Sequence, residues 1–338
     1  MSESIEAWLA TFAALRPELL VLRDRREVVA ACVLVRRTER RGPFFIRRAY
    51  INTSGEDVAD SACIEFNDLL SKPGYERAMA TALREHLRST DEVHVPGMLE
   101  GPTLAALREA FADRNTVELP IPSYFIDLDS VRSGGKDWLD RLSSRERGKF
   151  RQAVRGYEAH GPLVLEQAAS VAEAHAFLDG LATLHQVRWT ERGKPGAFAS
   201  PLFRSYHRAL IERSFATGRI QLLRLVAGST TIGYHYNFIL DGKLYFYQCG
   251  YNYALDEKLR PGFVAHLYAI RHAMASGLTD YDFMAGDVEY KRRLAGGSRT
   301  MQWITWQADS VKMALFNAAR ELRTTDAFKK LSSLLTTA

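Results

Sequence analysis

The chain has 338 residues, 46% of them apolar and 25% charged. That is enough for two domains or one large one, and it excludes a disordered, collagen-like or disulfide-scaffold protein. The formal charge is 45 − 40 = +5, which permits an anionic partner without demanding one.

Residues 5–15 predict a short amphipathic helix. Val28–Val35 and Phe44–Ile51 read as two strands around a basic turn, Arg36 to Pro43, so a hairpin is expected. Tyr75, Met79, Leu83 and Leu87 mark a helix face. Thr90–Val95 reads as a strand and residues 103–112 as a helix. Val117–Leu128 is held extended by Pro120 and Pro122. The order β-β-α-β-α-β is that of a mixed α/β unit. Residues 136–157 are charged and helical, and are expected to link the halves as a surface helix.

In the second half Leu163–Glu166 is a short strand, followed by a helix from Val171 to Trp189 and another near 201–216. Three strands come next: Ile220–Val226, Thr231–Leu240 and Lys243–Cys249. Asp241-Gly242 between the last two is a strong hairpin signal, because both turn residues need positive φ. Pro261 opens a helix whose stripe is Phe263, Leu267, Ile270 and Met274, and Gly277 ends it. Tyr281–Met284 is a strand, Asp287–Leu294 a short helix and Thr300–Gln307 a last strand. Helices at 310–322 and 325–335 close the chain.

Cys32, Cys63 and Cys249 are far apart and form no CxxC, so no disulfide framework or Cys-rich zinc site is readable. This suits a reducing, cytoplasmic setting. The acidic N-terminus lacks the basic start of a secretory signal, and no run is long and apolar enough to span a membrane. No Walker A loop, GxSxG elbow, HExxH or EF-hand loop occurs, and no metal is expected. His175 to Gly180 matches an HxxxDG string, but it lies inside an apolar-periodic helix. Nine arginines fall between Arg23 and Arg48. They read as a sheet edge blunted by charge, or as a docking surface for a carrier protein, tRNA or nucleotide-linked substrate.

Two side-chain constellations stand out. Asp287, Tyr290 and Lys291 have i, i+3, i+4 spacing and are expected to share one helix face at a strand end. A Tyr there can protonate a leaving thiolate, and a carboxylate can take a proton from an attacking amine. The plainer reading is a helix cap with a surface lysine. His185, Arg188 and Trp189 repeat the spacing on another helix. His suits general-base work near neutrality and Trp can line a pocket; a structural His beside a core Trp is the alternative. Strand alternation puts Tyr245 and Tyr247 on one face, Phe246 and Gln248 on the other.

The second-half order, β-α-α-β-β-β-α-β-α-β, resembles the core of the GNAT superfamily of N-acyltransferases. Leu184-His185-Gln186-Val187-Arg188-Trp189, Pro261-Gly262 and the run Tyr281-Asp282-Phe283-Met284-Ala285-Gly286-Asp287-Val288-Glu289-Tyr290-Lys291 look like its CelD/BcsL branch, the cellulose biosynthesis protein CelD family. That branch is related to FemAB-type tandem GNAT transferases. The motif match covers residues 136–307, and the first half matches as a degenerate companion through features such as Asp68-Leu69-Leu70. The resemblance implies tandem GNAT-like domains with mixed sheets: 1–130 degenerate, 131–160 a helical linker, 161–308 the acyltransferase domain and 309–338 C-terminal helices.

It also implies an N-acyltransferase in which an amine attacks a thioester directly. The donor would be acyl-CoA or an acyl-carrier protein, and the acceptor an amine-bearing small molecule or sugar. His185, Asp287 and Tyr290 would be catalytic. Gln248, Cys249, Gly250, Lys258, Arg260, Gly262, Phe263 and Val264 would hold the donor. Arg188, Trp189, Tyr236, Tyr247, Asp282, Glu289 and Lys291 would bind substrate. The stretch Lys258 to Val264 departs from the family's Gln/Arg-x-x-Gly-x-Gly/Ala loop, and Pro261 removes one N–H donor. Two rivals remain open: an aminoacyl-tRNA-dependent FemAB-like transferase, the one case in which nucleic acid is expected, and a non-catalytic exopolysaccharide-biosynthesis accessory protein.

Overall fold

The computed structural model describes residues 2–55, 65–135, 137–255 and 257–324. Along them run α1 (Ser2–Thr11), β1 (Glu18–Asp24), β2 (Glu27–Arg41), β3 (Phe44–Ile51), β4 (Leu70–Ser71), α2 (Glu76–His86), β5 (Glu92–Leu99), α3 (Pro102–Ala110), β6 (Asn115–Asp127), α4 (Leu128–Ser133) and α5 (Ser144–Glu158). Then follow β7 (Leu163–Gln167), α6 (Val171–Glu191), α7 (Pro201–Ser214), β8 (Ile220–Ala227), β9 (Thr230–Leu240), β10 (Lys243–Tyr251), α8 (Pro261–Ala275), β11 (Asp280–Ala285), α9 (Glu289–Leu294), β12 (Gly297–Gln307) and α10 (Val311–Thr324). The helix expected at 325–335, and Cys63, lie outside the described residues.

Local chemistry sets these bounds. Ser143, Ser170 and Ser200 each accept a backbone N–H three residues on, at 3.2 Å, and so cap α5, α6 and α7. Pro102, Pro201 and Pro261 sit in first turns, where a missing N–H leaves no helix bond unmade. Asp241 and Gly242 adopt φ of 50° and 75° in the turn between β9 and β10, as the Asp-Gly signal requires.

The contacts divide the chain into two units. A motif-bearing unit holds Met1–Ala13 and Ile121–Thr300; a companion unit holds Ala14–Gly55, Ile64–Pro120 and the chain from Met301. This differs from the expected cuts at 130, 160 and 308. α5, read as a linker, is a packed helix of the motif-bearing unit with Phe150, Ala153 and Tyr157 buried. Its charged remaining faces masked that stripe.

In the companion unit the strands run β1-β2-β3-β5-β12, with β4 beside β2. Among the described strand pairs there, β3–β5 is parallel and the others are antiparallel. Residues of α2 and α3 (Met79, Leu83, Leu104, Leu107) share one core with Leu34, Ile51, Val93 and Trp306. In the motif-bearing unit the order is β6-β11-β10-β9-β8-β7, and among these described strand pairs β10–β11 is parallel and the others antiparallel. Each unit thus presents a hairpin, a helix and a parallel strand in succession: β2-β3-α2-β5 and β9-β10-α8-β11. The fold is the expected mixed α/β arrangement.

Two readings of the companion unit change. β1 was not anticipated; its apolar run Leu19–Leu22 is short and flanked by charge. The basic segment is no turn, because β2 continues to Arg41 and the chain reverses only at Gly42, φ 63°. Its arginines meet acids across the strands. Arg36 pairs with Glu18 at 2.9 Å, Arg48 with Glu39 and Glu92 at 2.7 Å each, and Arg47 with Asp91 at 3.3 Å. Part of the block is therefore neutralised within the unit. Among the described residues no helix is long and apolar enough to cross a membrane.

Candidate active site

The parallel pair of the motif-bearing unit opens partway along. β10 and β11 pair at Lys243↔Asp280, Leu244↔Tyr281 and Tyr245↔Asp282, and the ladder stops there. Both strands carry a bulge at that level. The register of β10 with β9 jumps from Phe246↔Asn237 to Gln248↔Tyr236, which leaves Tyr247 extra. The register of β11 with β6 jumps from Asp282↔Phe125 to Ala285↔Ser123. A bulge bends its strand and raises its twist, and the two strands part. Gln248, Cys249 and Gly250 then have no ladder partner in β11.

Glycines fix what lies beside this open edge. A Cβ on Gly250 would sit 2.3 Å from Leu181 O and 3.1 Å from His185 N, so α6 presses directly on β10. A Cβ on Gly262 would meet the Tyr251 ring at 2.9 Å.

On the α8 side of β10 lies a buried chain of rings. His235 Nε2 is 2.8 Å from Tyr251 Oη, Tyr251 Oη is 3.5 Å from His266 Nε2, and His266 Nδ1 is 2.9 Å from Tyr281 Oη. The Tyr290 ring stacks on His266 at 5.5 Å. Burial lowers His235 to about 3 and His266 well below its ordinary value, so both rings are neutral. Burial raises Tyr251, Tyr281 and Tyr290, so these phenols keep their protons. It also raises the Cys249 thiol to about 11, which makes that sulfur a poor nucleophile.

The other side of β10 faces α6 and α7. His207 is sealed between Tyr236 Oη (3.3 Å) and Tyr247 Oη (3.1 Å), and burial lowers it to about 3. His185 stacks on Trp189 and meets Phe198 edge-on. Its tautomer follows from its neighbours. Gln186 Nε2 donates to Pro195 O at 2.7 Å, which orients the amide so that Oε1 faces His185 Nδ1 at 3.1 Å. Nδ1 must then carry the proton and Nε2 the lone pair. Burial lowers the pKa of this ring, so the lone pair is available at neutral pH. The Arg188 guanidinium lies 4.4 Å over the Tyr253 ring, just past the end of β10. Outside these contacts a cleft of about 800 Å³ opens between α6 and α7, lined by Ala182, Gln186, Phe198, Arg204 and others.

The sequence-named residues fall into place unevenly. Gln248, Cys249, Gly250, Tyr290, His185 and Arg188 gather along the far half of β10. Tyr247 and Tyr236 face α7 instead, and Tyr245 shares that face, since it pairs with Phe238, whose ring lies 4.9 Å from Tyr247; the bulge moves Gln248, opposite Tyr236, off the face of Phe246. Asp287 does not share a helix face with Tyr290, because α9 starts at Glu289 after an extended Val288. Its exposed carboxylate accepts from Tyr124 Oη at 3.0 Å and pairs with Arg292 at 2.9 Å. Nor does it cap α9. Glu289 is exposed and pairs with Arg293. Lys291, read as a surface partner in the plainer account, is buried; its Nζ donates to Met284 O at 3.1 Å and Ala285 O at 2.6 Å. Asp282 is fully buried, with Ser123 Oγ, Met284 N and Arg299 around it. Burial raises its pKa, although Arg299 and the Met284 N–H pull the other way. Val264 is core, while Lys258 and Arg260 are exposed. The reading missed Tyr251, Tyr253, His266 and Tyr281. His266 lies one turn from Phe263 in the α8 stripe, and a polar ring there was the available signal.

A thioester donor of the coenzyme A type needs an open strand edge for its arm and N–H groups for its diphosphate. The edge is present. The second element is thin: Pro261 has no N–H, and the Phe263 and Val264 N–H groups turn back to Arg260 O at 3.0 and 3.4 Å. Exposed Lys258 and Arg260 supply charge nearby. Among the described residues no group of His, Cys, Asp and Glu is placed to hold a metal.

Comparison with known proteins agrees with this geometry. Residues 144–292 match the family described as Acetyltransferase (GNAT) domain. No curated protein matches the sequence. Among solved structures, L-PGS from Bacillus licheniformis superposes with a TM-score of 0.55 at 11% identity, covering 94% of this chain and 96% of that one. FemX gives 0.55 at 10% identity, covering 92% of each. A conserved protein of unknown function from Bacteroides thetaiotaomicron gives 0.53 at 10%, covering 90% and 91%. Residues 144–292 therefore resemble a GNAT acetyltransferase domain, in a chain whose fold is similar to those of L-PGS and FemX.

Proposed function

We propose that the protein is an N-acyltransferase of the CelD/BcsL kind, transferring an acyl group from a thioester donor to an amine. The observation that carries this is the open edge of β10 from Gln248 to Gly250. There the Cys249 N–H points away from β9 and, free of β11, can donate to a thioester carbonyl oxygen, while the Gln248 and Gly250 N–H groups face β9 in the ladder that Asn252 N to Ile232 O continues. The amine nitrogen attacks the carbonyl carbon, the N–C bond forms and the C–S bond breaks. His185 Nε2 takes the amine proton, and Tyr290 Oη gives a proton to the departing thiolate. Asp287, exposed and paired with Arg292, is the weaker candidate base. The acceptor is an amine-bearing small molecule or sugar, and the reaction is cytoplasmic. The companion unit repeats the hairpin-helix-strand pattern without the motifs.

Calorimetry with acetyl-CoA, longer acyl-CoAs and an acylated carrier protein tests this reading. Saturable binding of one of them supports it. Binding of none removes the thioester donor and leaves the tRNA-dependent and non-catalytic readings.

A second reading has its own support. The thin N–H set at the start of α8 suits a donor not gripped through a diphosphate, such as an aminoacyl ester on tRNA. Against it, Arg36, Arg47 and Arg48 are engaged with acids of their own unit. A tRNA-dependent enzyme would lose binding steeply as salt rises.

A further inference from the structure

Met284 is an unusual residue in β11. Its φ is 61°, a left-handed conformation that L side chains resist, and it lies in the bulge where β11 leaves β10. Two buried charged groups hold it there. Asp282 Oδ1 accepts the Met284 N–H at 2.6 Å and the Ser123 hydroxyl at 3.0 Å, while its Oδ2 lies 3.0 Å from Arg299 Nη2. Lys291 Nζ donates to the carbonyls of Met284 and Ala285. The peptide groups on both sides of the strained residue are thus gripped, one by a carboxylate and the other by an ammonium.

The arrangement is costly. A carboxylate with 0% exposure and an ammonium with 8% have both left water. A regular strand here would need neither. The last β10–β11 pair is Tyr245↔Asp282, so the clamp begins at the residue where the ladder ends. Lys291 also neighbours Tyr290, so the lysine tethers α9 to the bulge and fixes the origin of the Tyr290 side chain.

We propose that Asp282 and Lys291 are positioning residues: they clamp Met284 in its left-handed bulge, keep β11 parted from β10, and set Tyr290 against the open edge. This rests on the acyl-donor reading of that edge. It also moves both residues from substrate contact, where the sequence placed them, to the support of the strand.

The test uses the full chain and a rescue. In Lys291→Met the carbonyls of Met284 and Ala285 lose their donor, the bulge relaxes, and acetyl-CoA binding weakens about tenfold. Met284→Gly in that background restores affinity to within about threefold, because glycine holds the left-handed conformation unaided. A lysine that touched the donor itself would not be rescued by glycine at 284, and failure of rescue overturns the proposal. Amide hydrogen exchange gives a second readout that needs neither donor nor variant. The Met284 N–H of the wild-type protein is expected among its slowly exchanging amides, and rapid exchange there overturns the clamp even if the variants do not fold. If the wild type binds no acetyl-CoA but Met284 is protected, the donor reading fails and the clamp stands.

Discussion

Acidification from pH 7 to 5 will destabilise the motif-bearing unit steeply, because three of its histidines are buried as neutral rings. His207 and His235 each fall to about 3, and His266 is lowered too, burial being the main cause. In the unfolded chain a histidine titrates near 6.5. A folded pKa below the unfolded one means that the unfolded state binds the extra proton. Stability is therefore whole above about pH 6.5 and lost as pH falls toward 3. Each such ring costs about 1.4 kcal/mol per pH unit in that window, or about 2 kcal/mol by pH 5. His207 and His235 together account for about 4 kcal/mol, and His266, lowered in the same direction, adds to the loss, against a net stability of order 5–15 kcal/mol. Asp282 works in the opposite sense, since its raised pKa lets the folded state take up a proton first, and it offsets part of the loss. Denaturant unfolding at half-unit pH steps measures this directly. His235→Gln keeps an acceptor for the Tyr251 hydroxyl but removes one titration, so its slope should be shallower by about 1.4 kcal/mol per pH unit. A flat profile between pH 7 and 5, or an unchanged slope in the variant, refutes the reasoning.

Three further outcomes follow from the geometry. Gly250→Ala puts a methyl group 2.3 Å from Leu181 O; a melting curve should show about 1–3 kcal/mol of lost stability, and an unshifted curve would mean that α6 does not press on β10. Tyr290→Phe keeps the stack on His266 but loses the proton, so turnover should fall about a hundredfold with the fold intact; a wild-type rate would exclude Tyr290 as the acid. In the wild type, kcat/KM should decline below the pKa of His185, which burial holds under 6.5, and His185→Gln should abolish that limb of the profile; a variant with the same limb would assign the base elsewhere.

Much of the motif-bearing unit was legible in the sequence, because its signals are local. Asp241-Gly242 needs positive φ, and Pro261 can start a helix but not continue one. The site resisted where it departs from regular periodicity. Alternation assumes a period of two, and the bulge at Tyr247 adds a residue that puts Gln248 opposite Tyr236, off the face it was expected to share with Phe246. The same defect in β11 hides in Phe283-Met284, where no glycine announces a left-handed residue. Lys291 was read as a surface partner in the plainer account because lysines are seldom buried; its burial depends on the carbonyls of a bulge that sequence does not show. Asp287 was placed on a helix that begins two residues later, an ordinary uncertainty of helix ends that here decides which residues face together. The arginines between Arg23 and Arg48 left both a charged sheet edge and a docking surface open, since Asp91 and Glu92, the partners of Arg47 and Arg48, are distant in sequence and meet them only through the β3–β5 pairing.

The central claim is that an acyl donor lies along β10 beyond its bulge. Amide hydrogen exchange with and without acetyl-CoA tests it most directly. The account predicts slowed exchange at Cys249 when the donor is present, because its N–H faces the side that β11 leaves open, whereas the Gln248 and Gly250 N–H groups face β9. Donor binding with unchanged exchange at the Cys249 amide would contradict it.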